Sequence, residues 1–336
     1  MDILFVADPL ASFKTYKDST YAMMREAARR GHGLIACEPG QLVWQRGGRV
    51  TARGAQRLRL DPAHDPKAHD HSAWYLVDAV ADVALADVGA VIMRKDPPFD
   101  SEYFYATHLL GQAEREGAKV FNKAAALRDH PEKLAILEFP EVIAPTIVTR
   151  DPVAIRAFHA EHGDIILKPL DGMGGSGIFR VGADGLNLGA IIETLNRDGA
   201  QTVMVQRYLP AISLGDKRVL VIGGRPIPHV LARIPQGGEV RGNLAAGGKG
   251  VAMAISPRER EIAEALGPTL AARGLLLVGL DVIGDCLTEI NVTSPTCFQE
   301  ITDQTGFDVA ACFIDALEAA LRGYASATAA TAGSAA

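Results

Sequence analysis

The stretch that decides the fold is Leu277-Val278-Gly279-Leu280-Asp281-Val282-Ile283-Gly284-Asp285-Cys286-Leu287-Thr288-Glu289-Ile290-Asn291-Val292. Two apolar runs flank a Gly-Asp turn signature, the pattern of a β-hairpin. Its register decides where the acids go. A two-residue loop at Gly284-Asp285 sets Leu280 opposite Glu289, an apolar side chain against a charge. A three-residue loop sets Asp281 opposite Glu289 and Gly279 opposite Asn291, with Val278, Leu280 and Val282 opposite Val292, Ile290 and Thr288 on the other face. The second register sorts polar from apolar and is the expected one. Two opposed carboxylates repel unless positive charge lies between them. With the Asn291 amide oxygen they form an oxygen donor set suited to a hard cation such as Mg²⁺, shared with phosphates. A solvated polar strip is the competing reading, but both faces of so apolar a hairpin should be buried, where uncompensated acids are costly.

Glycine points to the same chemistry. The chain has 34 glycines in 336 residues, and they concentrate in Asp171-Gly172-Met173-Gly174-Gly175-Ser176-Gly177 and in the span from Gly237 to Gly250. The first cluster joins a strand at Ile165–Lys168 to another at Ile178–Val181. It is therefore a hairpin entered by a lysine, whose open amides can approach phosphate oxygens while Lys168 supplies countercharge. Three common nucleotide folds fail. Gly247-Gly248-Lys249-Gly250 lacks the hydroxyl of a Walker A loop, and Asp8-Pro9-Leu10-Ala11-Ser12 after the first strand holds no glycine for a dinucleotide fingerprint. The protein-kinase triplets H-R-D and D-F-G are absent.

Composition narrows the class. Apolar residues form 48% of the chain and the net charge is −6, which excludes a disordered chain and a broad nucleic-acid footprint. Cys37, Cys286, Cys297 and Cys312 are too scattered for a disulfide scaffold or zinc ribbon. The Met1–Ala7 start does not read as a signal peptide, and no apolar run is long enough to span a bilayer. A soluble cytoplasmic protein is expected, with no membrane or nucleic-acid partner.

Strands at Ile3–Ala7, Leu34–Cys37, Ala90–Met93 and Lys119–Phe121, alternating with helices at Thr20–Arg30 and Ser101–Glu116, predict an α/β unit with a parallel sheet. Asp61 to His71 reads as a polar surface loop, with His64, His69 and His71 as a weaker metal candidate. Further helices are expected at Pro152–Glu161, Leu188–Asn196, Pro257–Arg273 and Val309–Arg322, followed by a disordered Ala/Ser/Thr tail.

Together the lysine strand, glycine hairpin, acid–acid–asparagine hairpin and second glycine loop resemble the ATP-grasp superfamily and, within it, the bacterial glutathione synthetases. The matching stretches are Met93–Asp100, Ile165–Gly175, Gln206–Pro210, Gly215–Leu220, Ala232–Gly248 and Gly279–Thr296. The resemblance implies an α/β (α+β) ATP-grasp fold of three subdomains. These are an N-terminal Rossmann-like, pre-ATP-grasp domain over 1–122, a central lid over 123–205, and a C-terminal unit over 206–322 with a mobile loop at 234–250, before the tail at 323–336. It implies joining of γ-L-glutamyl-L-cysteine to glycine with conversion of ATP to ADP and phosphate through an acyl phosphate, in a homotetramer.

The resemblance also implies site residues. Lys133, Lys168, Gly172, Gly174 and Gly175 would hold phosphates, Gln206, Arg207, Tyr208 and Leu209 the base, and Asp216 a ribose hydroxyl. Asp281, Glu289 and Asn291 would bind Mg²⁺ or Mn²⁺. Arg218, Arg233 and Arg241 would serve catalysis, and Lys17, Arg218, Arg233, Asn243, Ser294 and Thr296 would meet substrate. Competing readings are another ATP-grasp carboxylate–amine ligase, of D-alanine–D-alanine or glutamate-adding type, and a nucleotide-binding protein without turnover.

Overall fold

The computed structural model describes residues 1–67, 74–237, 241–244 and 247–333, with side chains described to residue 324. Three sheets follow one another along the chain. The first holds β1 (Asp2–Val6), β2 (Gly33–Cys37), β3 (Leu42–Val43), β4 (Thr51–Leu60), β5 (Tyr75–Ala84), β6 (Ala90–Met93) and β7 (Val120–Phe121), in the order β3-β4-β2-β1-β6-β7 with β5 paired to β4. β1 lies parallel to β2 and β6, and β6 parallel to β7, as the alternating pattern predicts. α1 (Ser19–Arg29) and α2 (Ser101–Arg115) cover this sheet, each started by an aspartate that accepts a backbone N–H: Asp18 from Tyr21 and Asp100 from Tyr103.

The sequence reading missed the antiparallel β4–β5 hairpin, because β5 is alanine-rich and almost wholly exposed, so it lacks the in–out alternation that marks a strand. Residues 61–67, the described part of the Asp61–His71 stretch, follow β4 as turns. His64 Nε2 lies 3.0 Å from Thr15 Oγ1, whereas His69 and His71 fall outside the described residues.

After α3 (Ala124–Asp129), the second sheet holds β8 (Thr146–Thr149), β9 (Ile165–Pro169), β10 (Phe179–Val181) and β11 (Val203–Arg207), in the order β10-β9-β11-β8, with α4 (Pro152–His162) and α5 (Leu188–Asn196). Ile155, Phe158, Leu167, Ile192 and Val205 give it a core of its own. The third sheet holds β12 (Asp216–Ile222), β13 (Arg225–Ile234), β14 (Lys249–Ala254), β15 (Leu277–Ile283) and β16 (Cys286–Asn291), in the order β14-β13-β12-β15-β16. α6 (Pro257–Ala272) begins with a reciprocal Ser256–Glu259 capping box, and α7 (Phe298–Thr305) and α8 (Val309–Gly333) follow. Phe298, Phe313 and Ile314 join Ile3 and Phe5 in one shared core, so the first and third sheets pack as one body.

Two expectations are corrected here. α8 continues to Gly333, through the stretch expected to be a disordered tail, because alanine has the highest helix propensity of any residue; 334–336 lie outside the described residues. The acid hairpin uses both registers considered. Ile283 pairs with Cys286 and Val282 with Leu287, so the turn is the two-residue Gly284-Asp285; a bulge then lets Asp281 pair with Glu289 and Gly279 with Asn291. Thr288 is the extra residue, so Val282 faces Leu287 and not Thr288.

Candidate active site

A cavity of about 310 Å³ opens where the second and third sheets meet. Lys133, Lys168, Gly172, Gly174, Gly175, Gln206, Arg207, Tyr208, Leu209 and Asp216 all line it, as do Arg218, Arg233, Arg241, Asn243, Glu289, Asn291, Ser294 and Thr296. Asp281 stands behind the arginines. Lys17 does not reach the wall; its ammonium sits 5.8 Å from the Tyr16 ring. Sequence reasoning missed Asp96, Pro97, Glu132, Thr288 and Cys297 on the lining. Asp96 and Pro97 lie within the matched Met93–Asp100 stretch, which was a signal of their place, whereas Glu132 sits in a turn after α3 with no local motif.

The two lysines converge from different elements. Lys168, near the end of β9, donates to the carbonyl of Thr288, the bulged residue of the β15–β16 pair, at 3.2 Å. Burial pushes the Lys168 ammonium down from 10.5 to about 8, with Lys133 adding to the shift and Glu289 opposing it. Lys133 pairs with Glu289 at 3.1 Å and donates to the Gly172 carbonyl, tying the acid strand to the glycine hairpin. Gly174 and Gly175 have φ of 61° and 82°, a left-handed conformation that favours glycine. A Cβ on Gly175 would also lie 2.8 Å from Asn243 Oδ1, so the two glycine loops touch.

Opposite them lies a buried arginine pair. Arg218 donates to Asp281 through Nε at 2.6 Å and Nη2 at 3.2 Å. Arg233 Nη2 lies 2.8 Å from Asp281 Oδ2 and 2.5 Å from Asp216 Oδ2. Burial alone would raise the Asp281 carboxyl, but the two guanidiniums outweigh it and hold that carboxyl well below the usual range. Gly279 is required beneath them, since a Cβ there would meet Arg218 Cδ at 2.8 Å. Burial raises the Asp216 carboxyl despite Arg233, and its Oδ1 is buried without a hydrogen-bond partner, an acceptor in want of a donor.

The positive charge between the acids is therefore arginine and lysine: Asp281 meets guanidiniums and Glu289 meets Lys133. This corrects the argument that opposed acids by themselves require a metal. Among the described residues no three His, Cys, Asp or Glu side chains gather to hold one. The donor chemistry still suits a hard cation. Glu289 and Asn291 line the cavity; Asn291 Nδ2 donates to the Gly279 carbonyl at 3.1 Å, which leaves the amide oxygen for a ligand, and a carboxylate keeps lone pairs beyond those its cations use.

Comparison with known proteins places the chain in a family. Residues 1–128 match the family model for the N-terminal domain of prokaryotic glutathione synthetase, and residues 132–306 match its ATP-grasp domain. The chain is 61% identical over 320 residues to a glutathione synthetase of Ralstonia nicotianae, covering 95% of this chain and 96% of that protein. It is 57% identical over 319 residues to one of Neisseria meningitidis serogroup B, covering 95% and 98%. Among solved structures it is similar to the D-cycloserine synthetase DcsG (TM-score 0.66, 15% identity, 96% and 100% covered) and to the ATP-grasp ligase PsnB with its minimal precursor (TM-score 0.60, 20% identity, 94% and 98% covered). These structures share the ATP-grasp fold with this chain. No helix among the described residues is long and apolar enough to cross a membrane.

Proposed function

The chain belongs to the prokaryotic glutathione synthetase family, and from that membership we propose that it joins γ-L-glutamyl-L-cysteine to glycine while ATP becomes ADP and phosphate. It is an ATP-grasp ligase. The observation that carries the reading is one cavity with cations at both ends: Lys133 and Lys168 beside the glycine hairpin, and Arg218 and Arg233 across from them.

A carboxylate carbon is a poor electrophile, and oxide is no leaving group at neutral pH. Transfer of the γ-phosphoryl group to the cysteinyl carboxylate forms an acyl phosphate, from which phosphate can leave when the glycine amine attacks. Lys133, Lys168 and the amides of Gly172, Gly174 and Gly175 hold the phosphates of ATP. Gln206, Arg207, Tyr208 and Leu209 line the base subsite, and the unpartnered Asp216 oxygen accepts a ribose hydroxyl. Arg218 and Arg233 orient the dipeptide carboxylate with their planar forks, and with Arg241 they stabilise charge in the tetrahedral step. Asn243, Ser294 and Thr296 complete the substrate contacts; Lys17 acts only from beyond the wall seen here. Glu289 and Asn291 on the cavity wall, with Asp281 behind them and shared with the arginines, would hold Mg²⁺, or Mn²⁺, which would neutralise charge on the transferring phosphoryl group. Of the proposed mobile loop 234–250, Ile234 belongs to β13 and Lys249 and Gly250 to β14, and 238–240 and 245–246 lie outside the described residues; Arg241, Asn243 and Leu244 line the cavity and would help exclude water from the acyl phosphate. We assign the enzyme to the cytoplasm as a homotetramer.

The test is isotopic. With a heavy-oxygen label in the cysteinyl carboxylate, the released phosphate should carry one labelled oxygen, because the attacking oxygen leaves with phosphorus. Unlabelled phosphate formed alongside peptide would contradict the acyl-phosphate route.

A further inference from the structure

Arg180 lies outside the cavity wall, on β10, the strand that leaves the glycine hairpin. Its guanidinium sits 3.7 Å from the centroid of the Tyr208 ring, and Tyr208 lines the cavity. That approach is well inside the range of a cation–π contact. The guanidinium is held in place by a fork on Asp164, with Nε to Oδ1 at 2.9 Å and Nη2 to Oδ2 at 2.5 Å. Asp164 is also bound to Tyr208 itself, since the Tyr208 backbone N–H donates to the Asp164 carbonyl at 2.9 Å. Three residues from three segments thus close a loop: the strand after the glycine hairpin, the residue before β9, and the segment after β11.

We propose that Arg180 is a positioning residue for the nucleotide, holding Tyr208 as a fixed wall of the base subsite and coupling that wall to the glycine hairpin. The inference rests on the nucleotide reading of this cavity. A tyrosine ring left unbacked on a half-exposed segment samples several rotamers, and a base stacking on it must order it first. With a guanidinium stacked behind it, the ring is ordered before the nucleotide arrives. The bidentate fork matters as much as the charge, because it sets the plane of the guanidinium parallel to one fixed direction, which an ammonium cannot do. Ile178, two residues earlier between the glycine hairpin and β10, lines the cavity. Movement of the glycine hairpin toward phosphate therefore carries Arg180 with it and is felt at Tyr208.

The experiment is ADP binding by calorimetry together with steady-state kinetics on the full-length enzyme. Arg180→Ala should weaken ADP binding and raise the KM for ATP by about three- to tenfold, with kcat within twofold of wild type and the KM values for dipeptide and glycine unchanged. Tyr208→Leu combined with Arg180→Ala should cost little more than Tyr208→Leu alone, because both remove one coupled contact. Arg180→Lys keeps a cation but loses the fork and should fall between, and Asp164→Asn gives the same direction if the alanine variant folds poorly. Unchanged ADP affinity in Arg180→Ala, or additive effects in the double variant, would overturn the proposal. Failure of the wild-type protein to bind ADP would instead overturn the nucleotide reading of the cavity, so the two failures are distinguishable.

Discussion

At the scale of single residues, Asp281 is the most heavily committed side chain in the cavity. It neutralises Arg218 and Arg233, both buried. Asp281→Ala strands buried positive charge and should lower the unfolding free energy by about 3–5 kcal/mol, read by urea denaturation; a loss below about 1 kcal/mol would contradict the pairing. Lys168 makes a separate prediction from its pKa of about 8. Phosphates favour the charged amine, so ADP binding at pH near 8 should take up protons, and affinity should fall as pH rises further. Stability should move the other way, because the unfolded lysine keeps its proton to higher pH and the folded one does not. Calorimetry in buffers of different ionisation enthalpy reads the uptake; no uptake at pH 8 would contradict the assignment. The lysine was legible in the sequence as the entrance to a glycine hairpin. Its partner, the Thr288 carbonyl, was not, since no residue type announces the bulge at Thr288.

At the scale of elements, that bulge reconciles the hairpin's two ends. The turn chemistry of Gly284-Asp285 demands a two-residue loop, while the sorting of Asp281, Glu289, Gly279 and Asn291 onto one face demands the other register. One extra residue satisfies both. Deleting Thr288 should therefore leave Asp281 opposite Glu289 and the fold intact by circular dichroism, yet remove the acceptor for Lys168 and raise the KM for ATP by about tenfold, the scale of losing a hydrogen bond to a charged group. An unchanged KM would contradict a role for the bulge. The pairing of the acids was readable because periodicity and polarity agree there. The β4–β5 hairpin was not, because its exposed alanines and valines alternate nothing.

At the scale of the whole molecule, the first and third sheets share a core, and the second sheet has a core on one side while Met204 and Val148 pack into the body formed by the other two, so the proposed nucleotide would lie between two packed layers that touch. The β4–β5 hairpin extends from the first sheet with Leu76, Val77 and Val80 exposed at 38%, 44% and 63%. An exposed apolar edge of this kind invites pairing with another strand or surface, which makes the hairpin the place to test for the proposed tetramer's interface. Replacing Val77 and Val80 by lysine should reduce the assembly in light scattering while leaving the cavity residues untouched; a tetramer that survives would remove the hairpin from the interface. The central claim is the reaction itself, and mass spectrometry tests it most directly. Purified enzyme given γ-glutamylcysteine, glycine, ATP and Mg²⁺ should yield glutathione with one ADP per peptide bond. ADP without glutathione, or turnover only with D-alanine or glutamate as acceptor, would contradict the account.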